Sequence, residues 1–75
     1  MMPYEKLIGR LIEQGFYITT HLGPYGALFV DDKKDFAKHP LKRDIRIRYN
    51  LDPVELTAEM CQAIEQDVLT TFGEK

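Results

Sequence analysis

The sequence predicts an α+β domain: a three-stranded antiparallel sheet with two helices on one face. Three observations predict it. Apolar residues recur at three- and four-residue steps near both ends of the 75-residue chain. Between them, two segments alternate apolar and polar residues with period two. Gly23-Pro24-Tyr25-Gly26 separates the first alternating segment from the next apolar run and has the residues of a tight turn. The expected order is helix, strand, strand, a loop or short helix, strand, helix, all in one domain spanning 1–75.

The first helix is expected over Pro3–Gln14. Tyr4, Leu7, Ile8, Leu11 and Ile12 form its apolar stripe, and Glu5, Lys6, Arg10 and Glu13 its wet side. Pro3 suits a first helical turn, and Gly15 suits the left-handed residue that ends a helix. Phe16–Leu22 is the first strand. A three-residue hairpin loop, with Gly26 at positive φ, returns the chain into Ala27–Asp31. Gly23 opposite Ala27 then puts Phe16, Ile18, Thr20, Leu22, Leu28 and Val30 inside. Tyr17, Thr19, His21 and Phe29 face outward.

Asp32–Lys42 is polar and lysine-rich. It reads equally as a loop or as a short helix over Lys33–Lys38, capped by Asp32 and stopped by Pro40. Arg43–Tyr49 is the third strand, with Ile45, Ile47 and Tyr49 on one side and Asp44, Arg46 and Arg48 on the other. The last helix is expected to start at an Asp52 cap, with Pro53 in its first position and Glu55 closing a capping box. Thr57, Met60, Cys61, Ile64, Val68 and Phe72 make its buried stripe, with Leu56 widening it and Gly73 ending it. Glu65 is placed at the edge of that stripe, reaching for water.

Charge is unevenly distributed. Residues 31–50 hold seven Lys/Arg against four Asp, and residues 51–75 hold six Asp/Glu against one Lys. A net charge of −2 therefore combines a basic middle with an acidic tail. Cys61 is the single cysteine and reads as a core thiol in a reducing compartment. No stretch approaches the ~20 apolar residues of a membrane span. A cytoplasmic location is expected.

Catalytic motifs are lacking: there is no phosphate-binding glycine loop, G-x-S-x-G, H-E-x-x-H or C-x-x-C. Asp31, Asp32 and Asp35 beside Lys33 and Lys34 make a poor hard-cation site. No enzyme activity, cofactor, metal or small-molecule ligand is expected. The outer sheet face carries the positive signal. Tyr17, His21, Phe29, Arg46 and Arg48 share it, beside Lys33, Lys34, Lys38, His39, Lys42 and Arg43. Tyr, Phe and Arg are the residue types favoured at protein interfaces. The leading expectation is thus a regulatory or interaction module, homodimeric or bound to a protein partner through this face. Such a module would also suit a phage or mobile-element inhibitor of a host complex. The alternative is nucleic-acid binding, with arginines on phosphate, lysines steering, and Tyr17 or Phe29 stacking on bases. A third reading folds the 31–43 connection over Tyr17 and Phe29.

The element order, with Gly23-Pro24 leading into Ala27–Asp31, resembles a double-stranded-RNA-binding domain. That resemblance implies a helix, three strands and a helix. The family's phosphate clamp is a lysine-rich start of its last helix. Here that position reads Asp52-Pro53-Val54-Glu55, so no functional residue carries over.

Overall fold

A computed structural model describes residues 2–21, 26–38 and 45–73, with only the backbone of His21 and Asp35. Its elements are α1 (Pro3–Glu13), β1 (Phe16–His21), β2 (Ala27–Asp32), α2 (Lys33–Lys38), β3 (Arg46–Asn50) and α3 (Ala58–Phe72). The strands form one antiparallel sheet in the order β1-β2-β3, so β2 is central.

Among the described residues the alternation along each strand is as expected, with Leu22 and Asp44 lying outside them, but the hairpin register is not. His21, rather than Gly23, lies opposite Ala27, and Ile18 rather than Thr20 lies opposite Val30. The expected three-residue loop falls largely on residues 22–25, outside the described residues. The slip is two residues, and an even slip leaves every side chain on its own face. Gly26 also has a different role. Its φ is not positive; instead, a Cβ there would collide with the carbonyl oxygen of Leu51. Gly15 and Gly73 do take positive φ and end α1 and α3.

One cluster forms the core. Leu7 and Leu11 of α1 and Cys61 and Val68 of α3 join Phe16, Leu28, Val30 and Leu56. Ile18, Ile47, Tyr49, Ile64, Leu69 and Phe72 pack around them. The Phe16 and Phe72 rings meet at a tilt, with centroids 5.4 Å apart. Five residues expected to face the core are exposed instead: Ile12, Thr20, Ile45, Thr57 and Met60.

The chain between β3 and α3 differs most from expectation. Asp52 caps a separate turn, its Oδ1 accepting from Val54 N at 3.0 Å, and α3 starts only at Ala58. Thr57 is its N-cap, exposed rather than on the buried stripe, with Oγ1 accepting from Met60 N at 3.2 Å. Two capping residues compete here. Leu56 decides between them, because an extended backbone between turn and helix places it in the core.

Candidate functional site

The two sheet faces carry different chemistry. On the side away from the core, pairing sets Tyr17, Asp31 and Arg46 on one rung and Thr19, Phe29 and Arg48 on the next. Alternation along each strand thus gathers Tyr17, Phe29, Arg46 and Arg48, as the sequence predicts. Lys33, Lys34 and Lys38 are exposed on α2. Lys42, Arg43 and His39, with the His21 side chain, lie outside what the structure describes.

The connection after β2 is a helix at Lys33–Lys38, and Asp32 Oδ1 accepts from Lys34 N at 2.8 Å. That helix covers part of the outer face. Phe36 stacks on Tyr17 with centroids 3.9 Å apart and planes 9° from parallel. Tyr17 therefore has one ring face occupied within the molecule, as the reading that folds the connection over it expects for that residue. Asp31 is also buried on this face, 3.5 Å from Arg46 Nε. Sequence reasoning assigned it no structural role.

Phe29 is half-buried under two guanidiniums. The Arg46 Cζ lies 4.3 Å from its ring centroid and the Arg48 Cζ 5.5 Å. Each such contact contributes about 0.5–1 kcal/mol at an exposed site. Arg48 Nε also donates to Asn50 Oδ1 at 3.0 Å. Neighbouring side chains thus orient both arginines while leaving them exposed to solvent.

β3 is also a sheet edge. Leu51 N donates to Gly26 O at 3.1 Å, which fixes the phase of the β2–β3 ladder. In an antiparallel pair this alternation turns the peptide groups of Ile47 and Tyr49 toward β2 and those of Arg46, Arg48 and Asn50 outward. Among the described residues, no strand pairs with that outer edge.

A second polar cluster joins α1 to α3. Arg10 Nε donates to both Glu65 carboxylate oxygens, at 3.0 and 2.9 Å, and Gln14 Nε2 donates to Oε2 at 2.8 Å. Glu65 is buried, not the water-reaching edge residue expected. Its signal was present in the sequence, since Cys61, Glu65, Val68 and Phe72 follow the 4-3-4 spacing of a helix stripe. The Arg10 bond holds the Glu65 carboxyl below its ordinary pKa against the opposing effect of burial. Glu65 and Cys61 line a groove of about 270 Å³ between the helices. Burial pushes the Cys61 thiol up. Both shifts run against a general-acid carboxyl or a thiolate nucleophile.

On the far side of the sheet, Tyr49 donates its hydroxyl to the Asp67 carboxylate. Burial raises that phenol, and the Asp67 bond adds to the shift. Among the described residues, no group of three metal-ligating side chains converges, and no helix is long and apolar enough to cross a membrane. No protein-family model, curated protein or solved structure matches the chain.

Proposed function

We propose that this protein is a small, non-enzymatic interaction module that binds an acidic protein partner on the Phe29–Arg46–Arg48 patch. The convergence of two solvent-exposed guanidiniums on one half-buried ring carries this reading. Held arginines on an aromatic base lose less freedom on binding a carboxylate than mobile lysines do. The lysines of α2 would steer an acidic partner toward them. The cytoplasm suits the module, because its lone thiol stays reduced there.

Charge argues for a partner other than a second copy. A two-fold dimer through this patch would set it against itself, arginine against arginine. Pairing it with the acidic α3 of another copy would be a head-to-tail contact, which forms filaments unless its rotation closes. Nucleic acid is the weaker alternative, since the Phe29 ring already carries guanidiniums and Tyr17 already carries Phe36.

Fluorescence anisotropy with a labelled glutamate-rich peptide and a labelled oligonucleotide, at low and high salt, tests the proposal. The expected result is peptide binding that weakens roughly tenfold in the Arg46→Ala/Arg48→Ala double variant. Tighter binding to the oligonucleotide would hand the patch to nucleic acid. Binding of neither would remove the proposal.

A further inference from the structure

The patch and the sheet edge are one feature, because Arg46 and Arg48 belong to the strand whose outer peptide groups are turned away from β2. We infer that the partner docks as an extended segment adding a fourth strand beside β3, with acidic and apolar residues in alternation. This rests on the acidic-partner reading above and gives it a backbone geometry.

Three observations select that occupant. Arg46 and Arg48 are two residues apart on one face, so an added strand meets them with acidic side chains at every second position. On the other face Ile47 is half-buried and Ile45 is exposed, which suits apolar residues at the intervening positions. The outward peptide groups of Arg46, Arg48 and Asn50 then supply the ladder bonds that give strand addition its affinity.

The same arginines disfavour self-pairing along this edge. A two-fold pairing of β3 centred on Ile47 or Arg48 sets guanidinium opposite guanidinium, which is destabilising. Charged residues on an edge strand are a common guard against aggregation. Here the guard against copies of the chain is also the attraction for an acidic strand. β1, the other edge, carries no Lys, Arg, Asp or Glu over Phe16–His21, and both α1 and α2 pack beside it.

The test uses a fluorescein-labelled peptide of alternating Glu and Val flanked by Ser-Gly. Two further versions carry N-methyl groups on alternate peptide bonds, one version in each phase. A scrambled peptide of the same composition completes the set. Strand addition predicts salt-sensitive binding that falls at least about tenfold for one N-methyl phase and much less for the other. It also predicts weaker binding of the scrambled peptide. If all four bind equally and depend on Arg48, strand addition is overturned while the acidic-partner reading stands. If none binds, both fall. A protein that sediments alone as a dimer, and separates when Arg48 is changed to Glu, also overturns the inference by giving the edge to a second copy.

Discussion

The inner and outer faces of the sheet are built from the same three strands, one residue out of phase, yet they are closed in different ways. Leu28 and Val30 lie inward among apolar side chains of α1 and α3, fully shielded from water. On the outer face Tyr17 lies under the Phe36 ring of the short helix, while Phe29 and Asp31, the immediate neighbours of Leu28 and Val30, meet arginines. The inner face uses non-directional burial, which scales with area. The outer face uses directional contacts between aromatic and charged groups, each of them small. Substitutions on the inner face should therefore change whether the chain folds, and those on the outer face should mainly change what it holds.

Leu28→Ala is the largest expected effect. Truncating a fully buried leucine costs about 2–5 kcal/mol. That is a large share of the roughly 5–15 kcal/mol that stabilises an ordinary domain. The urea midpoint should collapse, and a small change would mean that the core is looser than its burial indicates. Phe36→Ala comes next. It removes the ring over Tyr17, worth about 0.5–1.5 kcal/mol beyond the area lost. Urea melts with near-ultraviolet circular dichroism should show a modest loss and an altered tyrosine signal. A loss equal to that of Leu28→Ala would erase the distinction between the faces.

The smallest effect concerns charge on the closed side. Because Arg10 lowers the folded-state pKa of Glu65, its contribution is fully present above the unfolded value, about 4.5, and is lost as pH falls through the lower folded value. Stability measured from neutral pH downward should begin to drop below about pH 4.5. Glu65→Gln should flatten that part of the profile. An unchanged profile would show that solvent screens the exposed Arg10 enough to cancel the pair.

The contrast also explains what was readable in advance. Strand faces follow from side-chain parity, which survives even a two-residue error in register, so Phe29, Arg46 and Arg48 were placed together correctly. The Lys33–Lys38 helix had a local signal in the Asp32 cap, though an equal case existed for a loop. Features that join distant parts of the chain were less legible. Arg10 and Glu65 are 55 positions apart, and each taken alone reads as a polar residue on its helix. Phe36 over Tyr17 depends on where α2 swings after β2. The start of α3 was misplaced because Asp52 and Thr57 are both good caps, and only the burial of Leu56 separates them.

The phase of the β3 ladder has a consequence for proton traffic. Along this strand the amides of Ile47 and Tyr49 are locked into β2, whereas those of Arg46, Arg48 and Asn50 face away from it. In deuterated water the strand therefore keeps two clocks, alternate amides waiting for the sheet to open while their neighbours exchange with little protection. A docked strand would bring the fast set toward the pace of the slow one. Occupancy of the edge is thus written residue by residue in exchange rates, without altering a single side chain.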